Sequence, residues 1–195
     1  MPRFRLISQE EEPEKQFRCL QYPFRKMNIS ESLYQKLREN GLDFFTSVPC
    51  KFLDELISLV SKDDAIVYTP VSREEEGVGI SAGAFMGGRR PALLMQNTGL
   101  GNSINAICSL LNYYQIPVVF VISHRGTENE IIDAQKPMGE ATKSLLEITS
   151  IPYLEVREKA DMERIDELIS SGLEKNQSVA LLLPQVLWRE NGDGQ

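Results

Sequence analysis

A chain of 195 residues, 42% apolar and 25% charged, suits one globular domain with a sizeable core and excludes disorder throughout. Its formal charge of −7 argues against a general nucleic-acid binder, because phosphate neutralisation needs clustered Lys and Arg. The apolar runs Ile116 to Ile122 and Val179 to Leu183 fall far short of the ~20 residues that span a bilayer, so no membrane partner is expected. Residues 1–27 carry Arg3, Arg5 and acids from Glu10 to Glu14 without a secretory apolar segment, and read as an N-terminal extension. Cys19, Cys50 and Cys108 form no CxxC pair and are odd in number, which points to reduced thiols and a cytoplasmic protein.

Ser30 is expected to cap a helix that runs to Asn40 and stops at Gly41. Phe44 to Val48 reads as a strand, Phe52 to Val60 as a helix with Leu53, Leu56, Ile57 and Val60 inward, and Ala65 to Thr69 as the next strand. The alternation continues with helix 74–87, strand 91–95, helix 102–114, strand 118–123, a polar loop, helix 141–148, strand 153–156, helix 161–175 and strand 179–183. Six short apolar strands separated by helices predict a doubly wound α/β domain over residues 28–185, its largely parallel sheet covered on both faces. Residues 186–195 read as a tail.

Residues able to do chemistry crowd between Val71 and Asn102. Glu74-Glu75-Glu76 opens a helix in which Gly77, Gly79 and Gly83 recur among other small residues, allowing another element to approach closely. Gln96-Asn97-Thr98-Gly99-Leu100-Gly101-Asn102 follows an apolar strand and reads as a strand-to-helix turn, at the end of the strand where open α/β sheets bind ligands. The amides of such a turn suit an anion, although an ordinary capped βα turn would use the same Gly and Asn. The Lys and Ser/Thr of a P-loop are absent, and the glycines do not form G-x-G-x-x-G. His124 and Arg125 lie just beyond the strand 118–123, where they can bind an anion or donate protons; a lone histidine also serves structure. Without a second His or a Cys cluster at ligand spacing, no metal site is expected on this chain.

Glu74, followed by Gly79-Ile80 and Gly83, resembles the glutamate helix of the pyrimidine-binding domain of thiamine diphosphate enzymes. With Gln96 to Asn102, Ser123-His124-Arg125-Gly126, and Ala134-Gln135 to Pro137-Met138-Gly139 with Thr142, the chain is similar to the decarboxylases of sulfopyruvate and phosphonopyruvate over roughly residues 28–185. The resemblance implies that Glu74 is catalytic and hydrogen-bonds N1′ of the cofactor's aminopyrimidine, with Glu75 and Glu76 as register alternatives. It implies cofactor contacts from Gln96 and Asn97. It also implies contacts from Thr98, Gly99, Leu100, Asn102, His124 and Arg125 to a small anionic 2-oxo acid. The loop 125–142 would lie near the site, with Gln135 and Lys136 as further candidates.

Gly192-Asp193-Gly194 resembles the opening of the diphosphate and magnesium motif of these enzymes, but only Gln195 follows it. The resemblance therefore implies a hetero-oligomer in which a beta subunit supplies the Mg²⁺ ligands and the diphosphate half of a shared thiamine diphosphate site. The implied activity is that of a carboxy-lyase acting on 3-sulfopyruvate in coenzyme M biosynthesis. Phosphonopyruvate or another 2-oxo acid is the alternative substrate, and a noncatalytic partner-binding domain the alternative role.

Overall fold

The computed structural model describes residues 27–189. The N-terminal extension with Cys19, and the Gly192-Asp193-Gly194 stretch, lie outside the described residues. Six strands, β1 (Phe44–Ser47), β2 (Val67–Pro70), β3 (Pro91–Gln96), β4 (Val119–His124), β5 (Tyr153–Glu155) and β6 (Val179–Pro184), form one sheet in the order β2-β1-β3-β4-β6-β5. Every neighbouring pair is parallel. The chain moves outward from β1 to β2 and then crosses back to β3 on the other side of β1. The topological switch point therefore falls between β1 and β3, and the crevice at their carboxyl ends is where such a sheet takes a ligand.

The helices divide cleanly between the two faces. Ile29, Leu33 and Leu37 of α1 (Ile29–Glu39), Leu56 and Val60 of α2 (Asp54–Ser61), and Ile165 and Ile169 of α6 (Ile165–Glu174) share a core with Phe45, Leu94, Val121 and Leu181. Val78 and Ala82 of α3 (Glu74–Met86), Leu100 of α4 (Asn97–Ala106) and Leu146 of α5 (Lys136–Ile148) pack against Leu93, Phe120, Ile122 and Leu182. Adjacent strand residues such as Leu93 and Leu94 thus enter opposite cores, as the two-residue pleat requires. Because both faces are covered, the central strands β4 and β6 are buried along their whole length, with runs of consecutive apolar residues rather than alternation.

Several boundaries differ from the sequence expectation for identifiable reasons. The cap of α1 is Asn28, not Ser30: Asn28 Oδ1 accepts from Glu31 N at 2.8 Å, and the Glu31 carboxylate accepts from Asn28 N at 3.0 Å. This reciprocal box satisfies two amides that a helix start leaves orphaned. α5 begins at Lys136, five residues before the expected 141, with Pro137 in its first turn. The segment expected to open α6 from 161 is a 3₁₀ turn, Lys159–Arg164. Beyond β6 the chain enters a short helix α7 (Gln185–Arg189), and Leu187 and Trp188 are buried in the α1–α2–α6 core. No helix among the described residues is long and apolar enough to cross a membrane.

Candidate active site

Glu74 is the first residue of α3, reached from β2 through an extended Arg73. The three acids of this first turn complement the partial positive charge of the helix start, yet they face different surroundings. Glu75 pairs with Arg73, and Glu76 is exposed. Glu74 is half-buried and turns toward α4, where a β-carbon on Gly99 would overlap its carboxylate. Among the described residues, none donates a hydrogen bond to the Glu74 carboxylate.

The glycines of the Gln96–Asn102 stretch therefore do a different job from the one a turn would give them. α4 starts at Asn97, directly after β3, so residues 97–102 are helical rather than a loop leading to a helix at 102. Gly99 tolerates the helical backbone at a modest cost in propensity and provides the space that Glu74 occupies. Neither role needs a special backbone angle.

The residues around Gly99 separate into an open pair and a buried brace. Gln96 Nε2 donates to Thr98 Oγ1 at 2.9 Å and to Gln135 Oε1 at 3.3 Å, joining the end of β3 to the loop before α5. Thr98 and Asn102 are exposed, Lys136 is exposed and paired with Asp133, and Gly101 lies against the Met138 methyl group. Asn97 is fully buried: its Nδ2 donates to Arg125 O at 3.0 Å and to Thr142 Oγ1 at 2.9 Å, and its Oδ1 accepts from Arg125 N at 3.1 Å. Asn97 thus fixes the backbone of Arg125, while Leu100 is wholly in the core.

His124 is 3% exposed and its Nε2 donates to the Gly139 carbonyl at 3.1 Å, which leaves Nδ1 as a bare nitrogen without a partner. Burial pushes its pKa down, favouring the neutral ring. The same corner is closed by backbone against backbone, since a β-carbon on Gly139 would collide with the Gly126 carbonyl. Gly126 also has a φ of +77°, so this turn requires glycine twice over.

Arg125 is not a free cation. Its Nε and Nη2 donate to Glu130 at 2.7 and 2.8 Å, and its guanidinium lies 5.1 Å from the centre of the Phe52 ring. The Glu130 side chain has no exposed surface and also accepts from Gly126 N at 3.1 Å, Ile132 N at 3.0 Å and Gln185 Nε2 at 2.6 Å. The Arg125 hydrogen bonds, reinforced by the Gly126 and Ile132 amides, hold its pKa down at about 2 against the cost of burial. Glu130 gives no signal in the sequence, where Glu128-Asn129-Glu130 reads as a solvated loop. Among the described residues no group of three or more His, Cys, Asp and Glu is placed to hold a metal ion.

The sequence that builds this parallel α/β domain, with an acid at a helix start that has no donor among the described residues, matches a known family. Residues 27–144 match the model described as thiamine pyrophosphate enzyme, N-terminal TPP binding domain. The chain is 46% identical over 164 residues to the sulfopyruvate decarboxylase subunit alpha of Methanothermobacter thermautotrophicus, covering 84% of this chain and 99% of that one. It is 34% identical over 161 residues to the sulfopyruvate decarboxylase of Methanosarcina acetivorans, covering 82% of this chain and 41% of that longer protein. It is also 34% identical over 122 residues to the phosphonopyruvate decarboxylase of Streptomyces viridochromogenes, covering 62% and 31%. The chain belongs to the thiamine pyrophosphate enzyme N-terminal domain family and, within it, to the family of sulfopyruvate decarboxylase alpha subunits.

Proposed function

We propose that this chain is the pyrimidine-binding subunit of a thiamine diphosphate-dependent decarboxylase that converts 3-sulfopyruvate to sulfoacetaldehyde and CO₂, a reaction serving coenzyme M biosynthesis. The observation that carries the reading is the Glu74 carboxylate, unpartnered among the described residues and resting in the space left by Gly99. That cradle fits the ring nitrogen of an aminopyrimidine, which needs one carboxyl group able to share a proton with it. Bound there, thiamine diphosphate supplies the electron sink that loss of CO₂ from a 2-oxo acid requires. The chain's own part is to hold and exchange a proton at Glu74, to keep that carboxyl fixed against α4, and to orient the acid. Gln96 and Thr98 offer hydrogen bonds at the mouth, and Arg125 offers the N–H donors that Glu130 leaves unused to the anionic tail.

The second half of the cofactor site is assigned to a beta subunit holding the diphosphate and Mg²⁺. Two observations support this. α3 is apolar on more than the face it buries: Ile80 is 38% and Met86 78% exposed, and a β-carbon on Gly79 or Gly83 would meet no side chain or neighbouring element within 4 Å. A helix that is apolar all round suits burial on both sides. The relative from Methanosarcina acetivorans, of which this chain spans only 41%, bears a name without a subunit designation. A cytoplasmic setting accords with the free thiols of Cys50 and Cys108.

The likeness to a phosphonopyruvate decarboxylase favours phosphonopyruvate as the second reading, since both acids end in a tetrahedral oxyanion. The test is CO₂ release from 3-sulfopyruvate, phosphonopyruvate and pyruvate by the chain alone and by its pair with a beta subunit, each with thiamine diphosphate and Mg²⁺. Release from 3-sulfopyruvate by the pair only is the expected result. Preference for phosphonopyruvate reassigns the substrate, and a verified but inactive pair points to a noncatalytic role.

A further inference from the structure

We infer that Glu130 is a positioning residue that locks the Arg125 guanidinium across the switch-point crevice, with one edge left open for the anionic tail of the substrate. This rests on the proposed decarboxylase reading and adds a residue to it. The placement follows from sheet order. Arg125 follows β4 and Phe52 follows β1, with β3 between them, so the two start from strand ends about 10 Å apart. The contact between the guanidinium and the Phe52 ring, 5.1 Å apart, therefore spans the end of β3, whose last residue is Gln96.

The hydrogen bonds define which edge is free. A guanidinium carries five N–H donors in one plane. Glu130 occupies the side formed by Nε and Nη2, and no described residue accepts from Nη1. The Nη1/Nη2 edge is thus available as a two-pronged donor, matched to two oxygens of a sulfonate or phosphonate. Glu130 is itself over-determined, receiving five hydrogen bonds from Arg125, Gly126, Ile132 and Gln185, which tie the loop after β4 to the start of α7. Asn97 fixes the Arg125 backbone from the opposite side. A buried ion pair adds little net stability over an apolar substitute, whereas it can select one conformation, here a single orientation of one arginine.

The experiment uses the reconstituted pair with Arg125→Gln, Glu130→Gln and the double variant. It measures KM and kcat for 3-sulfopyruvate and, by calorimetry, the Kd of sulfoacetate, an unreactive sulfonate. Glu130→Gln is expected to raise KM and Kd about tenfold or more, with kcat within about threefold, and the double variant is expected to be no worse than Arg125→Gln. Should Glu130→Gln fail to fold, Glu130→Asp, which withdraws the carboxylate by one methylene, is expected to raise KM in the same way. Unchanged KM and Kd in a folded Glu130 variant, or losses that simply add in the double variant, overturn the inference. If Arg125→Gln leaves Kd unchanged, the anion role of Arg125 and the inference fall together. If the wild-type pair releases no CO₂ yet binds sulfoacetate through both residues, the decarboxylase reading falls and the positioning role stands.

Discussion

Two glutamates at the carboxyl edge of one sheet have opposite surroundings. Glu74 is half-buried at the start of α3 and has no hydrogen-bond donor among the described residues. Glu130 is sealed in the loop after β4, accepts five hydrogen bonds, and has a pKa of about 2. A carboxylate saturated by its own chain can orient a neighbour but has nothing left for a ligand. A carboxylate held in place by shape alone, through the missing side chain of Gly99, keeps its oxygens for chemistry. The structure thus separates the two carboxylates by how many partners each already has, which is the contrast on which their proposed roles rest.

The sharpest way to break that contrast is Glu74→Gln, which keeps size and removes the exchangeable proton. CO₂ release by the pair is expected to fall by roughly 10²–10⁴-fold with the Tm unaltered, and full activity would refute the catalytic assignment. Gly99→Ala attacks the same carboxylate through shape: the new methyl displaces Glu74, and activity is expected to fall about 10²-fold as the acid leaves its position. An unchanged rate would show that the cradle is not required.

Glu130 is tested by acid. Its folded pKa lies below the ordinary 4.5, so its stabilisation is fully present above about pH 4.5 and is lost as pH falls toward 2. The contribution is on the order of 3 kcal/mol, and urea melts between pH 6 and 2 should show a flatter decline for Glu130→Gln than for wild type. Parallel declines would mean that Glu130 is not ionised in the way its partners dictate. The smallest effect is expected at Gly83, which faces open space on α3. Gly83→Ala should raise the stability of the isolated chain by roughly 0.5–1 kcal/mol through helix propensity, while Gly83→Arg should weaken association with the proposed beta subunit.

The parallel architecture was legible because burial on both faces leaves a mark in one dimension, namely short apolar runs at regular intervals such as Val119–Ile122 and Val179–Leu183. Glu74 was legible only as part of a resemblance, since three consecutive acids at a helix start offer no means of choosing among them. Their environments choose: Arg73 takes Glu75, solvent takes Glu76, and Gly99 receives Glu74. The stretch 96–102 misled because Asn, Thr and Gly are the residues of turns, and a glycine required by a side chain from another helix looks the same in sequence as a glycine required by a twist. Within that stretch helical geometry sends the side chains of Asn97 and Leu100 inward and leaves Thr98 and Asn102 exposed, a division that the sequence alone does not mark.

What the sequence alone determined is periodic: the number and order of the strands, the helices that separate them and the parallel sheet, all of which follow from the spacing of apolar residues along the chain. What only the tertiary structure decided is pairwise. The packing of Glu74 over Gly99, the reach of Arg125 from β4 to Phe52 beyond β1, and the sealing of Glu130 by groups up to 55 residues away depend on elements that meet only after the sheet has been wound. Burial is set by a residue's period, but its chemistry is set by whichever partners the winding brings to it.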